Sequence, residues 1–308
     1  MEIMFKKVGS ADLETVKKPI AGCWINVVSP DDAELQKLIE EYRIPSEFVR
    51  ACLDDDEQPR FDDDEDTGAK LVILKVPDVG KEDIEPVTVG LIFVKRYFFT
   101  ISNKHTELIR IFKNNPRRFY TTQQTRALLQ ILWSAVKFYI SRLDEVDRKT
   151  ETISDKIKGS ISNKEIFQLL AIQKTLTHFK IATGSNLKLL KDIAAGKHFR
   201  LYDADKELLE DIVIENEQVL AMINTYLEIS SNTMDAYASI VGNNMNHIMK
   251  TLTVWSIFLA VPVIVASFYG MNVALPMANH PYIFWITVGI GFLPAILLLA
   301  ILRKLKWI

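Results

Sequence analysis

The sequence predicts an α+β domain that continues into a long helical stalk and ends in two membrane-spanning helices. Three observations predict this fold class. Residues 251–302 form an uncharged stretch of 52 residues, whereas the rest of the 308-residue chain carries all 76 acidic and basic residues. Strand-like segments are confined to residues 1–120, and helical periodicity dominates residues 121–250. Because soluble proteins rarely leave so long a stretch uncharged, we expect residues 251–308 to be a transmembrane domain.

The composition narrows the class of function. The chain has 37 Lys and Arg against 39 Asp and Glu, a formal net charge of −2, which gives no reason to expect a nucleic-acid partner. Its two cysteines, Cys23 and Cys52, are too few for a disulfide framework and lack the spacing of a metal site. The first residues contain no apolar core of a cleavable signal peptide, so none is expected.

The first domain shows both strand and helix patterns. A helical pattern at residues 33–42 is opened by Ser29, Pro30 and Asp31. Segments rich in β-branched and aromatic residues predict three strands, at 71–76, 87–94 and 97–102. An acidic run at 54–57 and 62–66 is interpreted as a solvated loop, with a cation-binding surface as the alternative.

Two helices are predicted in the first part of the stalk. The first is expected to end at Gly159, and its apolar residues recur at helical spacing: Leu128, Leu132, Ala135, Tyr139, Leu143 and Val146. The second starts with the capping-box pair Ser162 and Glu165 and ends at Gly196. Its expected apolar stripe is Ile166, Leu169, Leu170, Leu176 and Phe179.

The third helix begins at a cap formed by Asp203 or Asp205 and shows no clear stop before Phe268. Only its last third is apolar, so the rest is expected to project from a membrane into water. Two spans follow from the hydropathy pattern, at about 251–269 and 282–302.

Charges beside the two spans predict the orientation. Lys250 precedes the first span and Arg303, Lys304 and Lys306 follow the second, whereas the connecting loop 273–281 has no Lys or Arg. The positive-inside rule therefore places both termini in the cytoplasm of a multi-pass protein of the cell membrane. Two spans cannot enclose an aqueous pore, so a channel would need several copies around an axis.

The first span ends in the motif Tyr269-Gly270-Met271-Asn272. In this position, after a long polar helix and before a second span, the motif resembles that of the CorA-type magnesium transporter family. Three other segments also resemble the family: Glu57-Gln58-Pro59-Arg60, the stretch 237–253, and the basic tail from Arg303 to Trp307.

The resemblance implies a CorA-like funnel, a homopentamer in the lipid bilayer whose first span lines a pore for divalent cations. It implies a selectivity filter formed by Gly270, Met271 and Asn272. By position, the implied pore lining and gate consist of Asp235, Asn246, Met249, Leu252, Ser256, Ala260 and Val263, with Ser267 continuing the stripe. Asp211, with Asp78 as its partner, would hold a regulatory ion between subunits.

The chemistry of these residue types suits Mg²⁺, which is strongly hydrated and sheds water reluctantly. Five Asn272 amides would form a neutral ring that accepts hydrogen bonds from metal-bound water and releases the ion easily. Met249 and Leu252 would close the pore by dewetting. Alternatives stay open: Asn272 as a helix cap, Met249 and Leu252 as packing residues, and Asp211 as a solvated charge.

Two departures from the family pattern leave the transported ion open among Mg²⁺, Co²⁺, Ni²⁺ and Zn²⁺. Val263 stands where the family often has threonine, and the outer loop has no carboxylate. Met271 argues against the zinc-transporting subgroup. Two other classes are weighed, a membrane-anchored scaffold that transports nothing and an enzyme. No catalytic constellation or nucleotide-binding loop in the sequence supports an enzyme or a cofactor beyond the ion itself.

Overall fold

The computed structural model describes the chain at residues 1–6, 13–79, 84–114, 119–157, 163–196, 198–199, 201–273 and 281–304. The chain divides into two compact units, Met1–Thr233 and Met234–Ile308. The three predicted domain boundaries are untested and stay predictions. Gly159, Ser162, most of the outer loop and the end of the basic tail lie outside the described residues.

The first unit contains a seven-stranded mixed sheet, counted over the described residues, with the strand order β2-β1-β3-β7-β6-β5-β4. The strands are β1 Glu2–Phe5, β2 Glu14–Thr15, β3 Trp24–Val28, β4 Arg60–Asp64, β5 Ala69–Val79, β6 Ile84–Val94 and β7 Tyr97–Ser102. β3 and β7 run parallel, and the other neighbours pair antiparallel.

Helices cover both faces of the sheet. Their bounds are α1 Asp32–Glu40, α2 Ser46–Leu53, α3 Glu107–Asn114, α4 Gln124–Ile157, α5 Asn163–Ala194, α6 Asp203–Tyr269 and α7 Ile283–Lys304. α1 and α2 pack on one face with the buried Leu71 and Ile73. α4 and α5 contact β5, the strand that contains Leu71 and Ile73. There the Tyr139 hydroxyl and the Asn186 amide both donate to the Lys75 carbonyl. Burial on both faces explains why β5 reads as a nearly continuous apolar run.

The three predicted strands are confirmed as parts of β5, β6 and β7, and the predicted helix 33–42 is confirmed as α1. Asp31 caps that helix by accepting a hydrogen bond from the Glu34 N–H at 2.8 Å. The prediction that 62–66 is a loop is wrong for Asp62–Asp64, because β4 pairs with β5 as an edge strand. Arg60 and Lys70 form ion pairs with Asp62 and Asp63 respectively, which offsets the repulsion among these carboxylates.

Packing confirms most of the predicted helical stripes. All six predicted apolar residues of α4 are buried, as are Leu169, Leu176 and Phe179 of α5. Leu170 was predicted to be buried, but it is 47% exposed because it lies on the outer side of α5.

The predicted helix ends are half right. Gly196 follows α5 with a left-handed φ of 94°, as predicted for a helix C-terminus. The prediction that Asp203 or Asp205 caps α6 is wrong. The Tyr202 carbonyl accepts the first hydrogen bonds, and both aspartates lie inside the first turn, where their charge favours the helix dipole.

The second unit contains the end of α6 and all of α7. Both helices are long and apolar enough to cross a membrane, and their most apolar 18-residue windows are only 6% and 11% buried. α6 ends at Tyr269, as predicted for the first span, and α7 begins one residue after the predicted start of the second span. Such exposure is typical of helices that face lipid or other chains rather than a soluble core.

Candidate functional site

The tripeptide Gly270-Met271-Asn272 directly follows the last residue of α6. The Gly270 N–H donates to the Ala266 carbonyl at 2.9 Å, and the Met271 N–H donates to the Phe268 carbonyl at 3.3 Å. The helical hydrogen bonding therefore continues into the motif and tightens at its end. Asn272 comes immediately after this last turn, and its side chain is exposed in the single chain.

A glycine at position 270 would allow a close backbone approach in the implied filter, because it has no Cβ. Within one chain, a Cβ at this position would lie 3.4 Å from the Ala266 carbonyl oxygen and 3.6 Å from that of Ser267, both ordinary contacts. The geometry of the single chain therefore tolerates a side chain at position 270. A need for glycine there would come from an ion or from another chain, and the assignment stays a prediction.

The predicted pore residues share one exposed side of α6. Met249, Leu252 and Val263 are 52%, 59% and 62% exposed in the single chain. Ser256, Ala260 and Ser267 are exposed as well, and they lie at the same helical spacing. Asn246 and Asp235 are exposed on the preceding turns of the helix. The side chains predicted to line a pore are therefore not buried within a single chain.

The opposite side of α6 packs against α7. Val254 is buried, the Phe258 ring lies 6.3 Å from the Phe292 ring, and Pro262 and Val265 border Gly291. Leu252, Ser256, Ala260 and Val263 each precede one of these four residues by two positions. Two positions correspond to about 200° around an α-helix, so the predicted pore side faces directly away from α7.

Two residues of α7 that pack at the contact between the spans, Gly291 and Ala295, were missed in the sequence. Both are buried, and a Cβ at Gly291 would lie only 3.3 Å from the Cα of Pro262. The Gly-x-x-x-Ala spacing was the available signal, because small residues one turn apart let membrane helices approach closely.

The predicted regulatory carboxylates lie far apart in sequence and in different settings. Asp211 is exposed on α6. Asp78 is half-buried at the end of β5, in a depression of about 490 Å³ that His105, Arg110 and Lys113 also line. Among the described residues, no group of three or more His, Cys, Asp or Glu side chains is arranged to hold a metal. The structure of one chain thus contains no complete regulatory site in its described part.

The charges around Asp78 are largely paired. Arg110 binds Glu107 at 2.8 Å, and Lys113 binds Glu2 at 2.7 Å. The hydrogen bond from Lys113 lowers the pKa of Glu2 below its usual 4.5. Arg110 and Lys113 thus pair with Glu107 and Glu2, and these ion pairs do not include Asp78.

Comparison with known proteins gives one consistent result. Residues 21–304 match the family model described as CorA-like Mg²⁺ transporter protein. The chain is 30% identical over 295 residues to the cobalt/magnesium transport protein CorA of Methanocaldococcus jannaschii, covering 92% of this chain and 91% of the relative. A second relative, the cobalt/magnesium transport protein CorA of Thermotoga maritima, is 19% identical over 99% of this chain and 89% of its own length.

Solved structures agree with the fold. The complete structure of the CorA magnesium transporter from Methanocaldococcus jannaschii superposes with a TM-score of 0.85 at 25% identity, covering 100% of this chain and 98% of that one. The cytoplasmic domain of ZntB from Vibrio parahaemolyticus superposes with a TM-score of 0.64 at 12% identity, covering 79% of this chain and 98% of that one. The similarity to the ZntB domain shows a shared fold only.

Proposed function

The chain belongs to the CorA-like Mg²⁺ transporter family, and from this premise we propose that it is a gated homopentameric channel that carries Mg²⁺ across the cell membrane. Membership of a transporter family supports divalent-cation transport rather than enzymatic activity. In the proposed assembly, α6 of each chain lines the pore and Asn272 forms the selectivity filter. Both termini are proposed to lie in the cytoplasm.

One observation carries the proposal. The exposed stripe on α6 faces away from α7 and leads to the motif at the helix end, where the Asn272 side chain is exposed. A helix that packs its own second span on one side can present its other side to an axis shared by several copies. A neutral amide ring at the outer end would bind hydrated Mg²⁺ weakly enough for rapid release.

The membrane potential is proposed as the driving force. A dication that moves to an interior negative by 100 mV gains about 4.6 kcal/mol, which is enough for uptake without a nucleotide. The gate is proposed to be the apolar pair Met249 and Leu252, whose rings would exclude water when the pore is narrow.

Regulation is proposed to come from cytoplasmic Mg²⁺. Asp211 of one subunit and Asp78 of its neighbour would hold an ion between like-charged surfaces and keep the ring closed. When cytoplasmic Mg²⁺ falls, carboxylate repulsion would loosen the ring and favour opening, so the sensor and the pore are coupled in both directions. The absence of a three-ligand cluster in the described part of one chain is compatible with a site shared between chains.

The alternative cargo is Co²⁺, because the relatives from Methanocaldococcus jannaschii and Thermotoga maritima are named cobalt/magnesium transport proteins. Uptake of Mg²⁺, Co²⁺, Ni²⁺ and Zn²⁺ into proteoliposomes, first singly and then in competition, tests the proposal. We expect uptake of Mg²⁺ that increases with an inside-negative potential. Folded protein that carries none of the four ions would support the membrane-anchored scaffold instead.

A further inference from the structure

Gly291 lies where α7 meets α6 in the second unit. A Cβ added at Gly291 would lie 3.3 Å from the Cα and 3.5 Å from the Cβ of Pro262, and 3.9 Å from the Cβ of Val265. A Cβ at Gly289, two residues earlier on the same helix, would meet nothing within 4 Å. The backbone of α7 therefore approaches α6 closely at Gly291 but not at Gly289.

This approach continues one turn further along α7. Ala295 is 1% exposed, and Phe292 reaches the Phe258 ring on the neighbouring helix. Helices in lipid gain little from apolar burial, so they associate through close van der Waals packing at small side chains. Gly291 and Ala295 supply small residues one turn apart, and Pro262 is the part of α6 that Gly291 meets.

The same contact decides which side of α6 points away from α7. Ser256 lies two positions before Phe258, and Val263 lies two positions before Val265, which places both on the far side of the helix. Rotation of α6 by one residue, about 100°, would bring Ile257 and Ile264 towards the place of Ser256 and Val263. Two bulky aliphatic side chains would then replace a hydroxyl and a smaller side chain.

We propose that Gly291 is a positioning residue that fixes the rotation of α6 through its contact with Pro262, and so sets which side chains face the ion path. The inference rests on the proposed function and adds to it a role for the second span. A larger residue at position 291 forces α6 to shift or turn. Position 289 has room for the same residue and offers a matched control in the same helix.

Cysteine labelling tests this directly. Single variants Ser256→Cys, Ile257→Cys, Val263→Cys and Ile264→Cys are treated in proteoliposomes with a charged, water-soluble thiol reagent. The native Cys23 and Cys52 can stay, because burial raises the pKa of both thiols and keeps them protonated. In the parent chain, positions 256 and 263 are expected to react several-fold faster than positions 257 and 264.

Gly291→Leu is expected to reverse this ratio and lower ion uptake, and Gly289→Leu is expected to leave both unchanged. A variant Gly291→Leu with the parental labelling ratio overturns the inference. If Gly291→Leu fails to fold, Gly291→Ala is used, whose Cβ needs a shift of only a few tenths of an ångström. We expect a partial change of the ratio in Gly291→Ala, and an unchanged ratio overturns the inference.

The labelling experiment distinguishes failure of the proposed channel from failure of the positioning role of Gly291. If positions 256 and 263 do not react in the parent chain, that side of α6 does not face water and the proposed channel is wrong. If they react in the parent chain and the ratio is insensitive to Gly291, the channel stands and only the positioning role is lost.

Discussion

The filter assignment depends on the amide of Asn272 being neutral. Asn272→Asp replaces the proposed ring of amides by a ring of carboxylates, which holds a dication more strongly and slows its release. We expect lower Mg²⁺ flux together with tighter Mg²⁺ binding. Isothermal titration and uptake by proteoliposomes measure the two effects.

Asn243→Asp provides the control, because it adds the same charge at an exposed position of α6 that is not assigned to the filter. If both variants reduce flux equally, the effect comes from general electrostatics and the filter assignment loses its support.

Gly90 of β6 is required by packing. A Cβ at this position would lie 1.9 Å from the sulfur and 2.6 Å from the Cβ of Cys52 on α2. Gly90→Ala is therefore expected to lower the free energy of unfolding by more than about 2 kcal/mol. Gly184→Ala in α5, where a Cβ meets nothing within 4 Å, is expected to raise it by up to about 1 kcal/mol. Denaturant unfolding followed by circular dichroism checks both signs.

Lys75 is expected to make the free energy of unfolding depend on pH in the alkaline range. The residue is 8% exposed, and its ammonium donates to the Thr88 hydroxyl at 2.9 Å and to the Asp55 carbonyl. Burial lowers the pKa of Lys75 below 10.5, although Asp55, Asp56 and Asp54 partly oppose this. Between the lowered pKa and 10.5 the unfolded chain binds more protons, so the free energy of unfolding rises with pH.

Lys75→Met removes this titration. The stability of the parent chain relative to Lys75→Met is expected to increase as the pH rises through the lowered pKa of Lys75 towards 10.5, by up to about 1.4 kcal/mol for each unit by which the pKa is lowered. Urea unfolding at a series of pH values measures the difference. A difference that stays constant or falls with pH would mean that burial does not weaken proton binding at Lys75.

Asn272 was assigned to the filter from its motif at the end of a span, and this assignment stays a prediction. Residues that matter through packing had no such motif. Gly90, Gly291 and Lys75 could not be identified, because their importance comes from Cys52, Pro262 and Thr88, which are distant in sequence. Of these, only Gly291 had a local signal, its spacing from Ala295.

Among the helices and strands, the last part of α6 contains the proposed gate. Leu252→Ser places a hydroxyl in the proposed apolar constriction and is expected to raise Mg²⁺ flux under closing conditions, because a polar wall stabilises a water column. Ile264→Ser makes a comparable change on the same helix at a residue that is 54% exposed but lies about 100° around the helix from Val263, off the proposed pore side. Uptake at high internal Mg²⁺ distinguishes them, and equal behaviour would leave Leu252 as a packing residue.

Long or strongly periodic elements were predictable, and short ones were not. The stripe of α4 and the runs in β5, β6 and β7 repeat over enough residues to give a clear period. The two-residue β2 and the eight-residue α2 do not. β4 is a strand of poor propensity, and its pairing with β5 and its ion pairs with Arg60 and Lys70 override the local preference of its aspartates.

At the scale of the whole molecule, the sequence predicted two spans after a mixed α/β region, and the structure and the family match bear out this plan. Subunit number, orientation and the regulatory site stay proposals. All three stay proposals for the same physical reason. Each depends on contacts with a membrane or with other copies of the chain, and the fold of one chain does not contain those contacts.

The proposed feedback acts on the whole assembly. Asp211→Asn removes a charge that would hold the bridging ion, so we expect uptake to continue at millimolar internal Mg²⁺ where the parent protein stops. Glu210→Gln, at the neighbouring exposed position of α6, is expected to keep normal inhibition. Inhibition that is unchanged in Asp211→Asn would remove this residue from the sensor.

The proposed channel requires identical chains to place their Asn272 amides around one path for a hydrated dication. Its most direct test is Mg²⁺ uptake by proteoliposomes at a set inside-negative potential, comparing the parent chain with Asn272→Ala. We expect potential-dependent uptake by the parent chain and its loss in Asn272→Ala, with the same oligomeric state in both. Equal uptake by the two folded proteins would contradict it.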